Sequence, residues 1–318
     1  MDAVYTPHTH PSERGMALVM TLGLLFTLSL IVLAIDAQIR HTARIVSAER
    51  DYRQAIALCE SGFALAQALL DEDEARDRTV DHLQETWATP VPLHDLGQGQ
   101  LSVIITDEQA RFDLNWLIDG QGRALPSRIA QAQRLFLALG IDPQLVEAIV
   151  DWIDTDSLSL PNGAERAPSD RPNGGYRPPN APMRSIDELQ NVRGMTPDTI
   201  RKLNPYVTAQ TSGWPAINLN TASLPVLQSL EFERTVGMAG PVMTARPILQ
   251  LASLDKVPGL APYADALRRI TQDRIGITLR SNRFRVQTTA IINGLVLRQS
   301  AILLRHSGIT SILYRMPT

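Results

Sequence analysis

Residues 16–35 read MALVMTLGLLFTLSLIVLAI, twenty consecutive positions without a charge or a proline. At about 1.5 Å per residue such a helix is about 30 Å long, the thickness of a bilayer's hydrocarbon core. The segment forces a division of the chain into one helix that lipid must solvate and a remainder that folds outside it. A secretory signal has a shorter apolar core of about 7–15 residues, followed by small residues at a cleavage site. Here Asp36, Gln38 and Arg40 follow, so the segment reads as a single membrane span. No proline occurs between Pro11 and Pro90. Apolar Ile45, Ala48, Tyr52, Ile56, Phe63 and Leu70 recur near helical spacing, so the span is predicted to continue into a long amphipathic helix from Ile35 to Trp87. Gly62 is expected to loosen this helix. The run Asp71, Glu72, Asp73, Glu74 is expected to form a solvated face, and Cys59, the only cysteine, to pack as a small apolar residue.

The flank before the span is polar, MDAVYTPHTHPSERG, and ends in Gly15. This leader resembles the substrate site of prepilin peptidases. The resemblance implies cleavage between Gly15 and Met16 on the cytoplasmic face and methylation of the new amino terminus. Arginine placement alone favours the opposite orientation under the positive-inside rule, because Arg14 precedes the span whereas Arg40, Arg44, Arg50 and Arg53 follow it. The leader outweighs it in this reading.

Beyond Pro90 and Pro92 the pattern changes. Leu101–Asp107 and Ala110–Leu114 read as short strands, residues 125–270 as mainly helical, and Gly276–Leu279, Phe284–Ile292, Leu295–Leu304 and Ile309–Tyr314 as strands rich in Val, Ile and Thr. Asn293-Gly294 is a strong two-residue hairpin signal. The early strands are expected to join the late ones in one sheet, with the helical stretch inserted between them. Within that stretch Val192-Arg193-Gly194-Met195 and Val257-Pro258-Gly259-Leu260 form a weak repeat, and Leu139-Gly140-Ile141-Asp142 is a looser copy. These helix–glycine–helix units resemble helix-hairpin-helix modules.

The stretches Ala110-Arg111-Phe112-Asp113-Leu114-Asn115, Asp151-Trp152-Ile153-Asp154-Thr155-Asp156, Gly163-Ala164-Glu165, Ser185-Ile186-Asp187-Glu188-Leu189 and Ile217-Asn218-Leu219-Asn220-Thr221-Ala222 occur in this order. With the leader and span, they resemble the general secretion pathway protein K family, minor pseudopilins of type II secretion. The resemblance implies an α+β fold: a pilin-like long amino-terminal helix packed on a mainly antiparallel sheet, with a large inserted all-α domain. The expected division is a leader at 1–15, a transmembrane helix at 16–35, pilin-like parts at 36–120 and 273–318, and an inserted helical domain at 121–272. It further implies a non-enzymatic subunit of the bacterial inner membrane with its carboxyl-terminal domain in the periplasm. That subunit would join other minor pseudopilins in a tip complex, start pseudopilus assembly and limit its length for export of folded proteins. The major pseudopilin, the prepilin peptidase and the inner-membrane secretion platform are the further partners implied. Most pilin-like proteins carry Glu at the fifth mature position. Here that position is Met20, which fits a subunit with no neighbour ahead of it, since a lone carboxylate in lipid needs a partner.

Asp151, Asp154 and Asp156 stand near the end of a predicted helix, and Glu165 and Asp170 follow in a Pro/Gly/Asn-rich loop. Carboxylates around such a loop suit a hard cation with oxygen ligands, calcium above magnesium because it tolerates irregular geometry. The family is similar in placing calcium in this region. The competing reading is that these carboxylates cap helices or pair with Arg166 and Arg171. No nucleophile–base arrangement or phosphate-binding loop appears, and His41, His82, His94 and His306 lack ligand spacing. The net charge of −3 and pI near 6.1 supply no basic excess for nucleic acid. A membrane-tethered DNA-binding module, a type IV pilus minor subunit and a carboxylate metallohydrolase are the alternatives.

Overall fold

A computed structural model describes residues 11–77, 79–164, 178–209, 216–272, 276–306 and 308–316. Helix α1 (Pro11–Arg76) is one unbroken element. Among the described residues it is the helix long and apolar enough to cross a membrane, and its apolar window is fully exposed. The helix first meets the folded body at Asp51, whose carboxylate accepts from Asn293 Nδ2 at 3.1 Å. From there Ala55, Cys59, Phe63, Ala66 and Leu70 are buried, spaced to keep one face of a 3.6-residue helix on the sheet. The predicted apolar stripe is therefore corrected at its start, where Ile45 and Tyr52 remain exposed.

The helix also ends earlier than Trp87. The Asp77 carboxylate accepts from the backbone N–H and the hydroxyl of Thr79 at 2.7 and 2.6 Å. That Asx turn offers the backbone an alternative to another helical turn. The chain then returns through Val80 and Asp81 to a short 3-10 turn at Thr86–Ala88, where Trp87 packs edge-on against Phe284 at 5.0 Å.

Five strands form the main sheet in the order β1 (Val91–Asp95), β2 (Gln100–Asp107), β7 (Arg283–Ile292), β8 (Leu295–His306) and β9 (Ile309–Met316), all neighbours antiparallel. Of the prolines that read as a break, Pro90 precedes edge strand β1 and Pro92 lies within it at a register shift, where it interrupts no central ladder. Asn293 and Gly294, with φ of 47° and 87°, turn β7 into β8 with Ile292 opposite Leu295, as their primed-turn preference dictates. Alternation places Leu101, Val103, Ile105, Phe284, Val286, Ala301 and Leu303 in one core with Phe63, Leu70 and Trp87. Gly62 is the point of closest approach: a Cβ there would lie 2.7 Å from Thr288 Cγ2. The glycine thus admits the sheet and does not break the helix.

Between β2 and β7 lie β3 (Phe112–Asp113), α2 (Pro126–Ala138), α3 (Leu145–Ile153), α4 (Pro197–Leu203), β4 (Val207–Thr208), β5 (Ala216–Asn218), α5 (Leu224–Ser229), α6 (Ala239–Thr244), α7 (Ala264–Gln272) and β6 (Gly276–Thr278). They surround a second core that includes Leu135, Phe136, Ile149, Ile153, Leu203 and Leu227. Two of the predicted strands do not join the main sheet. β3 pairs in parallel with β4, and β6 with β5, short ladders too brief for a period-2 pattern to reveal. The repeat is real at its turns: Gly194 and Gly259 have φ of 81° and 79°, a region glycine enters without steric cost. Met195 N–H donates to Val192 O at 3.2 Å, and Leu260 N–H to Val257 O at 3.0 Å.

Candidate functional site

The amino-terminal junction is the first candidate. Gly15 and Met16 lie on α1, with no atom crowding Gly15 and Met16 exposed. Met20 is likewise exposed, so the fifth position after the predicted cut presents an apolar surface.

The second candidate is the end of α3. Asp151 is fully buried and Asp154 nearly so, whereas Asp156 is exposed. The helix periodicity that puts Glu147 and Asp151 one turn apart lets them hold the returning loop. Leu160 N–H donates to both Asp151 carboxylate oxygens at 3.2 Å. Asn162 donates to Glu147 Oε2 from its backbone and side-chain nitrogens, at 2.8 and 3.1 Å. Arg193 reaches Gly163 O at 3.3 Å from the first repeat turn. Gly163 sits directly on Asp151, since a Cβ there would overlap Oδ2. Asp156 accepts from Leu158 N–H at 2.8 Å. Asp151, Asp154 and Asp156 do not converge on one point. Asp151 and Asp156 accept from loop backbone. Glu165 and Asp170, together with Arg166 and Arg171, lie outside the described residues.

The recurring motifs bury amides that pair with backbone. Asn115 and Met183 exchange two hydrogen bonds, Nδ2 to Met183 O at 2.9 Å and Met183 N to Oδ1 at 2.8 Å. Asn220 does the same with Ile248, at 3.0 and 2.8 Å. Amides that pair on both their nitrogen and their oxygen, one half-buried and one buried, fix one arrangement of the loops they join. They place no nucleophile or base beside a cleft.

A third cluster escaped the sequence reading. Among the described residues, one carboxylate oxygen from each of Asp73, Asp81 and Glu85 lies within 4.8 Å of the other two. The acidic run is a solvated face only at Glu72, which is exposed: Glu74 is buried, Asp73 is half-buried, and Asp71 accepts from Thr310 N–H at 2.8 Å. Arg305, nearly fully buried, enters the cluster from β8. It donates to Asp73 at 3.0 Å, to Ser281 O at 2.8 Å and to Asp81. Its Nε lies 3.4 Å from Glu74 without hydrogen-bond geometry, and its guanidinium stands 4.9 Å over the Phe284 ring. Arg280 adds 2.7 Å bonds to both Glu74 oxygens. Deeper still, Asp107 Oδ2 accepts from Thr221, Ser281 and Asn218 at 2.5, 2.6 and 3.3 Å. The signal that could have located this cluster is the pairing of Arg305 with the α1 end, contacts separated by more than two hundred residues.

Comparisons place this architecture among known proteins. Residues 110–212 match the family model described as type II secretion system protein K. The chain is similar to type II secretion system protein K of Klebsiella pneumoniae, 28% identical over 94% of each chain. It is also similar to that of Pseudomonas aeruginosa, 30% identical over 74% of this chain and 72% of the relative. In fold it resembles a chain in the crystal structure of the GspK-GspI-GspJ complex from enterotoxigenic Escherichia coli, with a TM-score of 0.71 at 23% identity, covering 85% of this chain and 98% of that one.

Proposed function

The chain belongs to the type II secretion system protein K family, and from that membership we propose that it works at the tip of a pseudopilus with other minor pseudopilins. In this reading it starts assembly and limits length for the export of folded proteins. Its α1 is anchored in the bacterial inner membrane with the folded body in the periplasm. The observation that carries the proposal is α1 itself: one continuous helix that is wholly exposed and apolar over its membrane-length part and packs on a pilin-like sheet only beyond it, with Ala55 its first buried apolar residue. An exposed Met20 in place of a buried-pair carboxylate gives no electrostatic reason for a subunit ahead of it. Partners of the GspI and GspJ kind are supported by the similar solved chain, which was crystallised in complex with those two proteins. Motif amides committed to backbone pairing support a structural subunit without a reaction.

Cleavage between Gly15 and Met16, with methylation of Met16, belongs to the same reading. Intact mass after co-expression with a prepilin peptidase should show a chain beginning at Met16. A chain that keeps residues 1–15 removes the pilin reading. Co-purification with the two partner minor pseudopilins should then require the processed chain.

Calcium at the α3 end is the cofactor part of the proposal. Buried Asp151 and Asp154 supply hard oxygen donors beside the loop that continues to Glu165 and Asp170, and a bound cation would neutralise them. Calcium should raise the thermal midpoint of the full chain in detergent, and Glu165→Ala should reduce the gain. No response to calcium refutes this part alone.

A further inference from the structure

The cluster around Arg305 joins the α1 end and the segment just after it to two stretches about two hundred residues further along the chain. Asp73 and Glu74 come from the end of α1, Asp81, His82 and Glu85 from the return segment, Arg280 and Ser281 from the link into β7, and Arg305 from β8. Asp107, at the end of β2, ties it to Asn218 and Thr221 beyond the main sheet. The charges do not balance. Asp73, Glu74 and Asp81 pair with the guanidinium groups of Arg280 and Arg305, while Glu85 lies beside Asp73 and Asp81 and Asp107 joins them through Ser281. The imidazole of His82 lies 3.6 Å from Glu85. Asp81 and Asp107 are buried, and Glu85 is largely so. Like charges held this close in a poorly solvated site cannot all ionise without strain.

We propose that this junction is a proton-operated latch, closed when its carboxylate cluster holds a proton and loosened when that proton leaves. The latch pins the return segment, residues 79–88, to the end of α1, and through Asp107 it pins the chain between β2 and β7 to the same place. Burial, reinforced by Glu85 and Asp81, pushes Asp73 up to about 7 despite Arg305. Burial likewise raises Asp81 and Glu85, and takes Asp107 to about 6. Because these groups interact, the proton belongs to the cluster as a whole. A carboxyl whose folded value lies above its free value stabilises the closed form at low pH, and that contribution is lost as pH rises through about 7.

Trp87 reports the state of the latch. Its indole N–H donates to Glu85 Oε2 at 2.6 Å, and the same carboxylate oxygen accepts from His82 N–H at 2.9 Å. Hydrogen exchange of the full chain in detergent, corrected for the intrinsic rate, should show residues 79–88 opening more readily by about tenfold per pH unit from pH 5 to pH 7, the slope of one proton. The effect should level off above about pH 7, and the Trp87 indole resonance should shift over the same range. Asp73→Asn keeps an acceptor for Arg305 but cannot ionise, so its opening should be flat or displaced to lower pH while low-pH protection stays at the wild-type level. Glu85→Gln, on the other side of the cluster, should lower the midpoint and serves if the first variant fails to fold. Protection of 79–88 that is independent of pH in the wild type overturns the latch. So does a midpoint that neither variant moves.

Discussion

Replacing Arg305 with Met asks how much of the fold rests on one buried cation. Methionine keeps the apolar stem but is shorter and lacks every donor, so Asp73, Asp81 and the Ser281 carbonyl lose a partner together. Asp81 retains the Ser281 N–H at 2.6 Å, whereas the carboxylate oxygen that faced Arg305 is left without its charge partner. Removing one side of a buried ion pair costs about 3–5 kcal/mol, and loss of the stack on Phe284 adds about 0.5–2 kcal/mol. Against a total stability of about 5–15 kcal/mol that is a severe lesion. With a urea slope of about 3 kcal/mol/M, the unfolding midpoint should fall by at least about 1 M. Circular dichroism of the full chain in detergent measures it. Adding Asp81→Asn removes the uncompensated charge and should restore part of the loss, by about 0.5–3 kcal/mol. A midpoint shift under about 0.3 M for Arg305→Met, or no recovery in the double variant, refutes the assignment of the cluster as a buried charge lock.

Gly163→Ala should push the loop off α3, because its Cβ would collide with the Asp151 carboxylate. Losing the Asp151 and Glu147 bonds to the loop costs about 2–4 kcal/mol, seen as a lower thermal midpoint and new proteolysis near residues 158–164. Wild-type resistance to proteolysis would contradict the clasp. Gly62→Leu should lower stability by about 1–3 kcal/mol or more by overpacking α1 against Thr288 and Val103, a loss thermal unfolding would reveal. Stability against pH should peak in the mildly acid range. It should rise as pH falls from about 7, where Asp73 and Asp107 take up protons in the folded state, and decline below about 4.5 as Glu108 protonates. Burial opposes ionisation of Glu108, but Arg285 and Arg111 outweigh it and hold the group below its usual range. A thermal midpoint that climbs steadily from pH 5 to pH 8 would contradict this sign.

The amino-acid sequence made the long helix, the late antiparallel strands and the Asn293-Gly294 turn legible, because each rests on local chemistry that needs no tertiary partner. The same holds for the glycine turns of the repeat. What stayed hidden depends on remote contacts. Nothing near Asp73 or Glu74 announces that Arg305 and Arg280 will cover them, so an acidic run on a helix reads as solvated. β3 and β6 have local residues suited to strands, but their partners, β4 and β5, are only two and three residues long. At the α3 end, the carboxylates were legible as oxygen donors, whereas their engagement by Leu160, Asn162 and Gly163 follows from the loop's return path.

The excursion between β2 and β7 begins and ends at a matched rung of one ladder, with Asp107 directly opposite Phe284. A large detour therefore leaves the sheet's geometry untouched, and its size can change without shifting any strand. The toll falls on the time needed to fold. Glu108 and Arg285, hydrogen-bonded across the junction, are 177 positions apart, and closing so long a free loop costs roughly 4–5 kcal/mol of chain entropy. Compaction of the detour around its own core before β7 arrives would bring the two ends together, making that second core the scaffold on which the central strands find each other.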